Sequence, residues 1–355
     1  MKNHFSTRLL AARRMAGLSL QDLADRMNGT VSKQALSRYE KADMLPGSAI
    51  LIGLSRALDK PVDYLFMPPF QGEGLKNVKF RKRKSVLSDE KEAGVKEKVV
   101  YHLERYSELE DILGLNSKFE NPLADFPLIN SVKSAEEAAK AVREIWNLGD
   151  DPIYSVYEML EEKGLKVVEV DEDDSFDGLA ALWNDQPIIA LNHRFPVERR
   201  RFNALHELAH RILQFSESCE EKDEENYCHV FANTMLLPEE ALKKALGEKR
   251  SFLPASELAV LKEYWGISMA AIVVRAKQAG IIDPTYYATW FKHQKQQGWH
   301  KNEPGKYPVE EKAIRFLQLL YSATAEGVIS MSHAANLSGK ILGEFRKDFE
   351  NPFSN

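Results

Sequence analysis

The chain has 355 residues, 44% of them hydrophobic and 10% aromatic, which excludes a mainly disordered protein and suits two or three domains. Its net charge of −5 divides into +9 over residues 1–84 and −14 over the remainder, a basic head on an acidic body that points the head toward a polyanion. No apolar run approaches the roughly 18 residues of a membrane span and no apolar stretch follows the N-terminal charge as in a secretory signal. The only cysteines, Cys219 and Cys228, exclude a disulfide scaffold, so a cytoplasmic protein without membrane attachment is expected.

Residues 5–67 read as four or five short helices. The first carries Leu9, Leu10 and Ala12 to Met15 and stops at Gly17. Ser19 is placed to cap the second, with Asp22 as its capping partner and Leu20, Leu23, Ala24 and Met27 as its apolar face. Asn28-Gly29 signals a turn, and Ser32 opens a third helix running to about Lys41, with Leu36 and Tyr39 facing inward. A further helix covers Ala49 to Leu58. Pro68-Pro69 with Gly72 and Gly74 reads as a linker, followed by the basic run Arg81-Lys82-Arg83-Lys84.

Ser88 to Leu113 reads as one long helix, and Ser134 to Trp146 and Ile153 to Glu162 as two more. The period then changes to that of strands at Lys166–Val170, Leu179–Trp183 and Ile188–Leu191, the last two joined by a turn at Asn184 to Pro187. Helices return at 197–214, 224–236, 255–263 and 268–279, and the tail from Glu310 is helical. The expected division is a head over 1–67, a basic linker and long helix over 68–130, an α+β body over 131–290, and a helical C-terminal extension over 291–355.

One constellation carries chemistry. His206-Glu207-Leu208-Ala209-His210 is an H-E-x-x-H motif on a helix whose apolar residues are Phe202, Leu205, Leu208, Ala209, Ile212 and Leu213. Residues four apart lie one turn apart on one helix face, so both imidazoles can meet a single ion. Glu207 is displaced around the helix, placed to hold a metal-bound water and take its proton. Catalytic zinc takes three protein ligands and keeps one position open. Glu225 is the best third ligand, because it lies one turn before Cys228 on the inner face of the next helix. Glu221, Glu224 and the imidazole of His229 are its rivals, and Cys228 is expected to be a small buried hydrophobe.

The stretch Arg200 to His210 resembles the core of the ImmA/IrrE metallopeptidases. The resemblance continues in Glu225, Cys228, Phe231-Ala232 and Leu236-Leu237-Pro238, and upstream in Trp146-Asn147-Leu148-Gly149, Asp151-Pro152-Ile153 and Phe176-Asp177-Gly178-Leu179. It implies a zincin-like fold in which His206, His210 and Glu225 hold one zinc ion and Glu207 is the general base. His229 stands where that family more often has asparagine. The head resembles the Cro/CI-type (XRE) helix-turn-helix through Leu18-Ser19, Leu23-Ala24, Ser32 to Glu40, Pro46, Leu54, Ala57-Leu58 and Tyr64-Leu65. That likeness puts the third helix in the major groove, with Lys33, Gln34 and Ser37 or Arg38 at base edges and Ser32 and Lys41 on phosphates. It also assigns Arg13 and Glu40 to an internal pair. Leu20 stands where glutamine is usual, and the turn over Asn28 to Val31 is longer than usual.

The fold class expected is therefore an all-α helix-turn-helix domain joined to an α+β zincin-like domain with a helical tail. The expected function is a transcriptional regulator that binds double-stranded DNA, as a homodimer reading paired half-sites, and carries a zinc-dependent endopeptidase. The resemblance implies a helix-turn-helix repressor, or another copy of the chain, as substrate, and the backbone of Ile188 to Leu191 is a candidate for pairing with it. The competing reading is a non-proteolytic regulator or antitoxin-like protein whose body senses a ligand or binds a partner. His193 is expected to serve its loop.

Overall fold

The computed structural model describes residues 2–68, 74–82, 87–115 and 118–350. Pro69 and Gly72 of the expected linker, and Arg83-Lys84 of the basic run, lie outside the described residues.

The head is helical throughout. Helix α1 (Lys2–Met15) is followed by α2 (Leu20–Arg26), α3 (Lys33–Glu40), α4 (Ser48–Leu58) and a 3-10 turn over Val62–Phe66. Ser19 and Asp22 close a reciprocal capping box at the start of α2, and the Ser32 hydroxyl accepts from the Ala35 amide at the start of α3. Asn28 and Gly29 both take positive φ, 54° and 69°, which is why that pair turns the chain. Phe5, Leu9, Leu23, Leu36, Leu54 and Leu65 are fully buried between the helices. Arg13 grips Glu40 through two bonds, Nε to Oε1 at 2.6 Å and Nη2 to Oε2 at 2.9 Å, as the pair expected to tie α1 to α3.

The stretch read as a linker is in part a strand. Strand β1 (Leu75–Lys82) precedes α5 (Asp89–Leu113), α6 (Val132–Ile145), α7 (Val156–Glu162), β2 (Lys166–Val170), β3 (Phe176–Trp183) and β4 (Gln186–Asn192). These form one four-stranded sheet in the order β1-β3-β4-β2, with β2 parallel to β4 and β3 antiparallel to both its neighbours. The β3–β4 hairpin turns on Asn184 and Asp185, both at positive φ.

Side chains alternate across the sheet. Val168, Val170, Ile188 and Ala190 pack under α5 with Val95, Val99 and Leu103. Val167, Ile189 and Leu191 face the opposite layer, where α8 (Val197–Ile212) and α9 (Glu221–Leu236) lie. Helices α10 (Glu239–Leu246), α11 (Ala255–Trp265), α12 (Met269–Gln278) and α13 (Pro284–Gln296) extend that layer.

Helix α5 is the hub between head and body. Its inner face covers the sheet, while Tyr101 enters the head's core and meets Tyr64 edge-to-face at 5.1 Å. Arg8 donates to Glu104 at 2.6 Å and also to the carbonyls of Met67 and Pro68. Gly94 marks the closest approach, since a Cβ there would lie 2.6 Å from the Arg14 carbonyl oxygen. Helices α14 (Arg315–Ala325), α15 (Met331–Ser338) and α16 (Leu342–Glu350) cover the far end of α5 around Tyr106 and Leu109.

The segment leading into α14 is bound to the body. Glu303 accepts from the Met269 and Ala270 amides at the start of α12, and Glu311 from the Val156 and Tyr157 amides at the start of α7. Arg201 of α8 reaches the Glu311 carboxylate, and neither side chain is exposed at all.

Candidate metal centre and DNA-reading helix

Helices α8 and α9 bring three ligand types to one point. His206 and His210 extend from the same face of α8, and their Nε2 atoms are 3.1 Å apart. Glu225 extends from the first half of α9 and spans both rings, with Oε2 3.3 Å from His206 Nε2 and Oε1 3.3 Å from His210 Nε2. These bonds hold the Glu225 carboxyl well below the usual carboxylate range. Zinc bonds of about 2.0–2.1 Å in tetrahedral array put donor atoms roughly 3.3–3.4 Å apart, so the cluster has the dimensions and the donor chemistry for that ion. Among the described residues it is the one group of three with this geometry.

The rivals fall away from the cluster. Glu221 and Glu224 lie on the first turn of α9 and do not join it. His229 stacks on Phe202, with centroids 5.6 Å apart, and its ring centroid lies 4.7 Å from that of His206, beside the donors rather than among them. His193 faces elsewhere, its Nδ1 3.3 Å from the Val170 carbonyl oxygen, in the loop role expected for it.

Two features were not read from the sequence. Cys228 is buried as expected, yet its Sγ lies 3.5 Å from His210 Nδ1. Burial pushes the thiol pKa up, so the sulfur stays uncharged. When Nε2 ligates an ion, Nδ1 would carry the ring proton and donate to that sulfur, which would set the imidazole's tautomer and angle. The signal was the three-residue spacing from Glu225, which puts Cys228 one turn on along the same face.

Gly178 of β3 is the second. A Cβ there would meet the Leu191 side chain at 3.0 Å and the Ala190 carbonyl oxygen at 3.1 Å, and it would sit 3.7 Å from Glu207 Cγ. Glu207 is buried, and the bare backbone of β3 passes directly beside it.

The sheet corrects one expectation. Ile188 to Leu191 lies within β4, which is paired on one side with β3 and on the other with β2, so its backbone has no free edge to offer a substrate. The run from Pro187 to Leu191 is buried throughout, the mark of an interior strand.

In the head, α3 presents one exposed polar face. Lys33, Gln34, Arg38 and Lys41 are exposed and Ser37 is half-buried, while Leu36 and Tyr39 anchor the opposite side. Ser32 is exposed as well, with its hydroxyl engaged in the helix cap. The head docks on α5 through α1, which leaves this face of α3 open.

An exposed recognition-type helix on one domain and an H-E-x-x-H helix under a mixed sheet on another define a helix-turn-helix protein with a peptidase-like body. Family models agree: residues 9–65 match the one described as Helix-turn-helix, and residues 160–277 the one described as IrrE N-terminal-like domain. One chain thus carries an XRE-type helix-turn-helix region and, after it, an IrrE/ImmA-like peptidase-family region. The second match begins inside α7, so the likeness read at Trp146 to Ile153 lies upstream of it, as does β1. No curated protein matches the chain. No described helix is long and apolar enough to cross a membrane.

Proposed function

We propose that this DNA-binding regulator uses its body as a zinc-dependent endopeptidase, acting on a helix-turn-helix repressor or on another copy of itself. The observation that carries the proposal is the convergence of His206, His210 and Glu225 at 3.1–3.3 Å beside the buried Glu207. His206, His210 and Glu225 would hold the ion. Zinc, when bound, supplies a Lewis acid and shifts the pKa of a water toward neutrality. Glu207 takes the proton of the attacking water and delivers it to the leaving amide nitrogen. Cys228 keeps His210 in the ligating tautomer, and Gly178 lets β3 close over Glu207.

The head supplies the address. Lys33, Gln34, Ser37 and Arg38 read base edges in the major groove, and Ser32 and Lys41 meet phosphates. Paired half-sites call for a homodimer. In this reading residues 1–67 are the DNA-binding unit, 68–130 the connection, 131–290 the peptidase and 291–355 its helical extension, all working in the cytoplasm.

The test is incubation of zinc-loaded protein with itself and with helix-turn-helix repressors, beside a Glu207→Gln control. Fragments that vanish in the control are expected. Stoichiometric zinc and specific DNA binding without any Glu207-dependent fragment would favour the competing reading, a regulator whose body binds a partner or ligand. That reading draws support from one observation: the sheet edge beside Glu207 is already filled.

A further inference from the structure

Peptides commonly bind enzymes by adding a strand to a sheet edge. Beside this metal centre the relevant strand is β3, because it passes Glu207 at Gly178 and its other side is committed to β4. The outer side of β3 is not free. Residues Leu75–Lys82 lie along it antiparallel, with Leu75 opposite Trp183, Lys79 opposite Ala180 and Arg81 opposite Gly178. A strand that connects the head to α5 thus holds the edge that an extended substrate would need.

The middle of β1 lies at the site. Asn77, Val78 and Lys79 border an open cavity of about 670 Å³, whose other walls include His210, Arg211 and Asp185. The ladder is broken here: the register shifts between Lys76 and Lys79, and Asn77 takes a φ of 49°. That bulge takes the backbone out of the extended form in which a peptide bond is presented for hydrolysis, so the segment is a poor substrate where it sits. Leu75, Val78 and Phe80 pack, partly exposed, on the apolar layer under α5, and Phe80 meets Phe176 edge-to-face at 6.2 Å.

We propose that the outer edge of β3 is the binding site for an extended peptide strand, and that Leu75–Lys82 fills it from within the chain. The peptide it takes shares the chemistry of β1: a cationic side chain toward the metal centre and an apolar or aromatic residue toward α5. A partner segment gains the site by replacing β1. The consequence for catalysis rests on the peptidase reading above, whereas the strand exchange itself does not.

The experiment uses the full chain with Glu207→Gln, so that nothing is cut, and a fluorescein-labelled peptide of sequence Leu75–Lys82 as probe. Phe80→Ala removes an anchor of the resident strand. Lys76→Cys with Leu182→Cys, which are register partners, locks it by a cross-strand disulfide. Fluorescence anisotropy is expected to give at least tenfold tighter peptide binding with Phe80→Ala, no binding by the oxidised lock, and recovery to the parent level on reduction. Equal affinity in all these forms would overturn the proposal.

A parallel arm restores Glu207 and supplies zinc and a helix-turn-helix repressor. Fragments formed equally by oxidised and reduced lock would overturn the strand proposal while leaving the peptidase standing. Peptide binding that follows the strand, with no fragment from any form, would support the edge site and remove the peptidase.

Discussion

The connection between the C-terminal segment and the H-E-x-x-H helix can be broken at one carboxylate. Glu311 accepts from Arg201 Nη1, the Ser155 hydroxyl and the amides of Val156 and Tyr157, and it is fully buried. Arg201 also donates to the carbonyls of Gly266, Tyr154 and Ile153. In Glu311→Ala the guanidinium keeps those neutral acceptors but loses its only counter-charge among the bonds it makes. Stranding one member of a buried ion pair costs about 3–5 kcal/mol, a fifth or more of the roughly 5–15 kcal/mol that a domain has.

The decisive comparison is a urea titration of Glu311→Ala against Arg201→Met/Glu311→Leu. The double variant removes both charges and is expected to recover most of the loss. Arg201 lies on α8 ahead of His206, so Glu311→Ala is also expected to weaken zinc binding in a competition with a chelating dye. A loss below about 1 kcal/mol, or a double variant as unstable as the sum of its parts, would show that the pair is not the joint this geometry implies.

Three further outcomes follow from other residues. Cys228→Val removes the acceptor for His210 Nδ1 and is expected to weaken zinc affinity by about 10–100-fold, with Cys228→Ser close to the parent; the same dye competition measures both. Burial pushes Glu161 up to about 7 while its carboxylate accepts from the Ile314 and Arg315 amides. The folded chain therefore binds this proton more tightly than the unfolded chain, and stability falls as pH rises from about 4.5 to 7, by up to about 3 kcal/mol. Glu161→Gln should flatten that slope in melts taken at pH 5, 6, 7 and 8, and an unchanged slope would remove Glu161 as its source. In the head, Lys41→Ala should weaken binding to all duplexes and lower the salt slope by about 1, whereas Gln34→Ala should relax the preference at one base of a selected site.

The parts of this molecule that were legible in the sequence are those whose partners are close along the chain. The H-E-x-x-H pair shares one turn of α8, and Glu225 falls on the inner face of the next helix, so the three donors lie close along the chain. Ser19 with Asp22, and Asn28 with Gly29, are local for the same reason. Strand β1 was not legible, and its own irregularity explains why. Its apolar residues, Leu75, Val78 and Phe80, fail to alternate because the bulge at Asn77 shifts the phase, and its pairing partner lies about a hundred residues away in β3. The C-terminal strap is hidden differently. Glu303 and Glu311 sit in a stretch with no helix or strand, and each satisfies helix-start amides that the chain made far upstream. Both cases have a functional edge. The elements that local patterns cannot reveal are those that join one unit to another, and here they meet the layer of α8 and α9 from two sides. Glu311 fixes the start of α8, and β1 borders the cavity at His210. A head that moves on DNA would act on the site through the second of these, since β1 is the first element of the sheet after the head and lines the cavity at His210.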